Sequence, residues 1–119
     1  MFGLFGGGAK ISADEVKTGL AQGTLILIDV RDPSELHMSG MAKGALNVPL
    51  ADLARKGDPA SPDCLPALKD TGIRKVLYCA SGARSSNGAS ILKRLGHSDV
   101  QNLGGLHRWV SGGGELVNV

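Results

Sequence analysis

Two short segments of this 119-residue chain are apolar at consecutive positions and not at alternate ones. The first runs from Leu25 to Val30 and is interrupted by Asp29, and the second runs from Lys75 to Cys79 and is apolar after Lys75. A strand with one face in water alternates apolar and polar side chains, so a continuously apolar strand needs cover on both faces. The two segments therefore predict an α/β fold with a central, mostly parallel sheet flanked by helices.

Signals for helix starts and ends separate the apolar segments. Ser12 and Glu15 form a capping-box pattern, which predicts a helix to about Leu20 that is broken at Gly23, and Asp32-Pro33 starts another helix. The remaining predicted elements are helices at 50–56 and 85–95, helical turns at Leu68 and Trp109, and strands at 45–48 and 99–103. Strands and helices alternate, so ligands are expected beyond the carboxyl ends of the strands.

Length and charge limit the classes of function. The chain has room for one domain, predicted over residues 10–119, and residues 1–9 are predicted to be a flexible tail because they lack the features of a signal peptide. The 13 basic and 11 acidic residues are scattered, which argues against nucleic acid as a partner. No apolar run approaches the roughly 20 residues that span a bilayer, so we expect no membrane partner and a cytoplasmic location.

The segment from Cys79 to Ser85 is the candidate site. It places a thiol at the end of a buried strand, followed by small residues around Gly82, then Arg84 and a serine able to cap the next helix. Such a loop turns its N–H groups toward one point, faced by the positive end of the helix, and these donors favour a thiolate. Cys79 is therefore the predicted nucleophile, and the predicted substrate-binding residues are Ala80, Ser81, Gly82, Ala83, Arg84 and Ser85.

Other interpretations of these residues remain open at this point. Cys79 could be a small buried side chain without chemistry, and Cys64, in a proline-rich connection, is predicted to be a bystander. No histidine lies in the loop to act as the base of a Cys–His protease, and two cysteines fifteen positions apart do not match a metal site. The histidines are predicted to be surface or hydrogen-bonded structural residues, at positions His37, His97 and His107.

The charged residues near the strand ends have structural and functional interpretations. Asp29 and Arg31 are expected to form ion pairs, with Glu35 as the obvious partner of Arg31. Arg84 could tie the loop to a carboxylate such as Asp29 or Asp32, but we favour donor binding because the loop holds no other cation.

Four stretches of the sequence form an ordered set of motifs. They are Leu27-Ile28-Asp29-Val30-Arg31 with Glu35, Gly44-Ala45-Leu46-Asn47-Val48-Pro49, Cys79 to Ser85, and Asn102-Leu103-Gly104-Gly105-Leu106 with Trp109. Taken in order, these stretches resemble the single-domain rhodanese family, whose members are thiosulfate sulfurtransferase-like. One departure lies at Gly40-Met41-Ala42, where the family has Gly-His-Ile, so its histidine is lost here; that residue is not the family's nucleophile.

The resemblance implies a rhodanese-like three-layer fold and an enzyme that needs no cofactor. Cys79 would accept sulfane sulfur from thiosulfate or a persulfide donor, form a persulfide, and pass the sulfur to a thiophilic acceptor such as cyanide or a thiol. A sulfur-acceptor protein could be a further partner.

Two other functions compete with this interpretation. A catalytically idle rhodanese-like domain would only bind partners, but such domains commonly lose the nucleophile and Cys79 is present. A phosphatase or arsenate reductase of the same architecture has five residues between its cysteine and arginine, and four separate Cys79 from Arg84.

Overall fold

The computed structural model describes residues 10–119, and the tail predicted for residues 1–9 lies outside that part of the chain. The helices alternate with the strands of the parallel sheet as predicted. The helices are α1 (Ala13–Gln22), α2 (Pro33–Ser39), α3 (Leu50–Lys56), α4 (Ala83–Arg94) and α5 (Leu106–Ser111), with a 3₁₀ turn at Pro66–Leu68. The strands are β1 (Leu25–Asp29), β2 (Met41–Ala42), β3 (Leu46–Asn47), β4 (Arg74–Cys79), β5 (Val100–Gly105) and β6 (Leu116–Val117).

Four strands form one parallel sheet in the order β3-β1-β4-β5, which confirms the predicted fold class. The two continuously apolar segments are its central strands, β1 and β4, paired with Leu27 opposite Val76. Since all four strands run the same way, their carboxyl ends meet at one edge. Cys79 lies at that edge, opposite Gly105 of β5.

The core has two halves, one on each face of the sheet. Leu77 packs on one face with Leu53 of α3 and Leu92 of α4, and all three side chains are fully buried. The next residue, Tyr78, points to the other face, where it joins Val16 of α1 and Trp109 of α5. Successive side chains of β4 thus enter different halves of the core, which explains why both types of position are apolar.

A second, two-stranded sheet was not predicted from the sequence. Strands β2 and β6 pair antiparallel, with Met41 opposite Val117. This sheet contains the residues that replace the family's histidine motif, and Ala42 N–H donates a 3.0 Å hydrogen bond to Tyr78 Oη. Two-residue strands carry no periodic pattern, so sequence reasoning has no signal for them.

The start of α4 also differs from the prediction. We expected Ser85 to cap this helix, but the N-cap is Gly82, with a φ of 107° that favours glycine, and Ser85 lies within the first turn. The helix therefore begins two residues earlier than predicted and brings Ser85 under the loop. Within residues 10–119, each helix is too short or too polar to traverse a bilayer.

Candidate active site

Cys79 lies at the bottom of the loop that joins β4 to α4, and its side chain is 1% exposed. Its sulfur accepts hydrogen bonds from Gly82 N–H at 3.0 Å and Ser85 N–H at 3.4 Å. The hydroxyl of Ser85 is 3.4 Å from the same sulfur. The loop thus has the geometry that the sequence predicts, with backbone donors turned toward one thiol.

The environment of Cys79 shifts its pKa in two opposing directions. Burial raises the pKa of the thiol, because it removes water from the charged form. Hydrogen bonds from the Ser85 hydroxyl and from the N–H groups of Ser85, Gly82 and Ser81 act the other way and outweigh burial, so the pKa is lowered. A thiol with a lowered pKa carries more thiolate at neutral pH, which is the nucleophilic form.

Ser85 connects the thiol to the neighbouring strand. Its Oγ lies 2.7 Å from Asn102 Oδ1 and 3.1 Å from the Gly82 carbonyl oxygen. Asn102 Oδ1 also accepts from Gly104 N–H at 2.9 Å, so it keeps one hydrogen bond when the single hydroxyl proton turns toward the sulfur. The sequence singled out Asn102 only as part of a motif that resembles the family. The structure shows that its side chain contacts Ser85, which in turn contacts the thiol.

Arg84 forms a two-pronged ion pair that the sequence did not predict. Its Nη1 and Nη2 each lie 2.8 Å from a different carboxylate oxygen of Glu35, which is in α2. Asp29 and Asp32, the carboxylates suggested for a structural role of Arg84, are not its ion-pair partners. Arg84 lowers the pKa of Glu35 to about 2, helped by a hydrogen bond from Asp32 N–H.

Binding of the sulfur donor by Arg84 stays a prediction. Both terminal nitrogens of Arg84 already donate to Glu35 in this structure.

The partner expected for Arg31 was also wrong. Arg31 pairs with Asp29 and not with Glu35, through Nη2 at 2.8 Å, and both side chains are buried. Its Nη2 also donates to the Gly40 carbonyl at 2.7 Å, which ties the end of β1 to the end of α2. A buried, fully hydrogen-bonded pair fits the structural interpretation that we favoured for these two residues.

Two glycines allow β5 to approach the loop. A Cβ on Gly105 would lie 2.6 Å from the Ala80 carbonyl oxygen, and one on Gly82 would lie 3.4 Å from Gly104 Cα. The first distance is shorter than real Cβ contacts, so the loop keeps this position only with glycine at 105. The Gly104-Gly105 pair is therefore part of the site.

The remaining cysteine and histidines lie in different surroundings. Cys64 is buried, with its sulfur 3.5 Å from the Leu65 carbonyl oxygen, and no loop of N–H groups surrounds it among the contacts of residues 10–119. His97 is buried with Nε2 2.8 Å from the Gly57 carbonyl, and His37 Nδ1 lies 2.8 Å from the Val119 carbonyl. Both match the predicted structural role. His107 is exposed, as predicted, but it borders the active-site loop.

Comparison with known proteins gives a consistent family assignment. The rhodanese-like domain family model matches residues 12–112, a span that includes the whole Cys79 loop. Thiosulfate sulfurtransferase PspE of Escherichia coli is 34% identical over 79 residues, which are 66% of this chain and 68% of that protein.

Solved structures also resemble the chain. The human single-domain sulfurtransferase TSTD1 superposes with a TM-score of 0.71 at 28% identity, over 87% of this chain and 97% of that one. A Rhodopseudomonas palustris protein of unknown function, described as a possible tyrosine phosphatase, has a TM-score of 0.79 at 26% identity, over 91% and 83% of the two chains. A different chemistry has therefore been suggested for one protein of this fold, so the function has to be argued from the active-site loop and not from the fold.

Proposed function

The chain belongs to the rhodanese-like domain family, and from this membership we propose that it moves sulfane sulfur from thiosulfate, or from a persulfide donor, to a thiophilic acceptor through Cys79. Its sulfurtransferase relatives support sulfur transfer in general. The observation that carries the proposal is a buried thiol at the end of β4 whose sulfur accepts hydrogen bonds from Gly82 N–H at 3.0 Å and Ser85 N–H at 3.4 Å, donors that lower its pKa.

The first step forms a persulfide. The Cys79 thiolate attacks the outer sulfur of thiosulfate, a new S–S bond forms, and the S–S bond of the donor breaks. Sulfite leaves with the bonding electron pair. The N–H groups of Gly82 and Ser85, now 3.0 and 3.4 Å from the thiol sulfur, would then stabilise negative charge on the persulfide.

The second step returns the free enzyme. An acceptor, cyanide or a thiolate, attacks the outer sulfur, and the Cys79 thiolate leaves. A thiol of lower pKa is a better leaving group, so the hydrogen bonds that ionise Cys79 for the first step also promote the second. Both steps use the cysteine and the loop, and the scheme needs no cofactor, as the resemblance implies.

Mass spectrometry of the intact protein tests the persulfide. After thiosulfate treatment the wild-type chain should gain the mass of one sulfur atom and lose it again on addition of cyanide. Cys79→Ser should gain nothing, while the matched variant Cys64→Ser should behave as wild type. A Cys64→Ser variant that takes up no sulfur would replace this mechanism with a relay between two cysteines.

A phosphatase is the rival that the Rhodopseudomonas palustris likeness raises. The length of the loop argues against a phosphatase. Four residues separate Cys79 from Arg84, so the ring of N–H groups is smaller than in the related phosphatases, which have five. We expect no hydrolysis of an aryl phosphate by wild-type protein that forms the persulfide. Hydrolysis that disappears in Cys79→Ser would establish the rival activity.

A further inference from the structure

Among residues 10–119, one side of the active-site mouth carries no free positive charge. The guanidinium of Arg84 has both terminal nitrogens on Glu35, and Asp32 is close enough to act on Arg84 as a second negative charge. The three side chains together bear one positive and two negative charges. A doubly charged anion such as thiosulfate would not be attracted by this side of the mouth.

The other side of the mouth is formed by β5 and the start of α5. A Cβ on Gly105 would lie 2.8 Å from His107 Nδ1 and 2.6 Å from the Ala80 carbonyl oxygen, so the imidazole borders the loop next to Cys79. A Cβ on Gly104 would lie 2.9 Å from Arg108 Cδ, and a Cβ on Gly82 of the loop would lie 3.4 Å from the Cα of this same glycine. The Arg108 side chain therefore lies along the backbone that supports the loop.

Arg108 forms no ion pair within the described part of the chain. Its side chain is exposed, and no carboxylate of residues 10–119 lies within ion-pair distance of it. Its side chain ends in a guanidinium cation, and the exposed imidazole of His107 lies beside it in the chain. This side of the mouth is therefore cationic, in contrast to the side that holds Glu35 and Asp32.

We propose that Arg108, with His107 beside it, forms the rim that attracts the anionic sulfur donor, and that this rim favours dianionic donors over monoanionic ones. The inference rests on the proposed function of Cys79 and adds the residue that selects the donor by charge. Arg108 forms no hydrogen bond with the thiol or with the four loop residues at 80–83, whereas the N–H groups of the loop do contact the sulfur. Arg108 therefore acts as a specificity-determining residue that selects the donor by charge, and it is not one of the groups that hold the sulfur.

A pair of alkylating agents tests the rim without any sulfur chemistry. Iodoacetate is an anion and iodoacetamide is neutral, and their reaction rates with Cys79 would be measured in a Cys64→Ser background. Arg108→Gln, which keeps most of the aliphatic stem, should lower the iodoacetate to iodoacetamide rate ratio by about twofold to fivefold at low salt. The matched variant Arg94→Gln, at the far end of α4, should leave the ratio unchanged. An unchanged ratio in Arg108→Gln would overturn the proposal.

Donor kinetics then test the selectivity. Arg108→Gln should raise the KM for thiosulfate by about threefold to tenfold, and the KM for monoanionic benzenethiosulfonate by less, with kcat unchanged. Arg108→Lys should bring the KM for thiosulfate part of the way back to the wild-type value. Added salt should reduce the difference in this KM between wild type and Arg108→Gln, because it screens the charge. Equal effects on both donors would contradict charge selection. If wild-type protein takes sulfur from neither donor, the proposed function fails, and the alkylation ratio still decides whether the rim exists.

Discussion

The thiol of Cys79 is almost fully buried, and yet its pKa lies below that of an ordinary thiol. Burial alone would give an inert cysteine, which is the alternative that the sequence left open. The hydrogen bonds of Ser85 and Gly82 reverse that outcome, because they stabilise the charged form. The chemistry at the residue scale is therefore set by where the donors point.

Ser85→Ala should raise the pKa of Cys79 toward the ordinary thiol value, because it removes the hydroxyl and leaves the N–H donors and the burial. The folded-state pKa is lowered, so the thiolate contributes stability above the unfolded-state pKa and that stability is lost as pH falls through the folded-state value. Iodoacetamide alkylation against pH measures the shift. Ser86→Ala, at an exposed position one residue further on, is the control.

The Glu35–Arg84 pair permits a second test at the residue scale. Both side chains are about one third exposed, at 31% and 36%, so the pair should contribute about 0.5 to 1 kcal/mol. If it holds the loop, Glu35→Gln and Arg84→Ala should have the same modest effect on thermal stability and on alkylation of Cys79. Direct donor binding by Arg84 predicts a different pattern, with KM raised in Arg84→Ala and lowered in Glu35→Gln.

The pH dependence of this pair follows from the lowered pKa of Glu35, about 2 against about 4.3 in an unfolded chain. Its contribution to stability is present above the unfolded-state value and is lost as pH falls from there toward 2. The stability difference between wild type and Glu35→Gln should therefore shrink as pH falls below about 4 and be nearly gone at pH 2, as measured by urea unfolding. A difference that persists at pH 2 would contradict the assignment.

At the scale of elements, the sequence predicted the four strands of the parallel sheet and most helices, because each carries a continuous apolar segment or a cap. It could not predict the Glu35–Arg84 pair or the β2–β6 sheet. Both depend on how α2, α4 and the chain end are brought together, and neighbouring residues carry no signal for that. The position of the active-site loop could be predicted from the sequence, because the strand, the small residues and the helix that form it follow each other directly.

The approach of β5 to the loop gives the prediction at this scale. Gly105 has a φ of −90°, which any residue adopts, so Gly105→Ala acts through contact and not through backbone strain. Its new Cβ would collide with the Ala80 carbonyl, which should cost about 1 to 3 kcal/mol and slow alkylation of Cys79. Gly72→Ala, whose Cβ would meet a flexible aspartate side chain 3.3 Å away, is the matched control in thermal unfolding.

At the scale of the whole molecule, the hydrophobic core extends to the site. Cys79 belongs to the same buried cluster as Leu53 of α3 and Leu92 of α4, but Leu92 lies near the end of α4, away from the edge of the sheet where the loop begins. Leu92→Ala should destabilise the protein by about 2 to 5 kcal/mol, because it opens a cavity in a fully buried region. The alkylation rate of Cys79 in the remaining folded protein should stay unchanged. If Cys79 were alkylated much more slowly in Leu92→Ala under conditions where that variant is fully folded, the core and the loop would be coupled.

The burial of Cys79 also determines how long a loaded sulfur atom would survive. A persulfide on an exposed thiol is open to every reductant and oxidant in the cell. At Cys79 the bound atom would sit beneath a loop whose amides face it, on a side chain that is 1% exposed. In the proposed reaction, an acceptor would therefore have to bring its attacking atom up to an almost fully buried side chain, so the loaded protein would pass its sulfur only to acceptors slender enough to reach it.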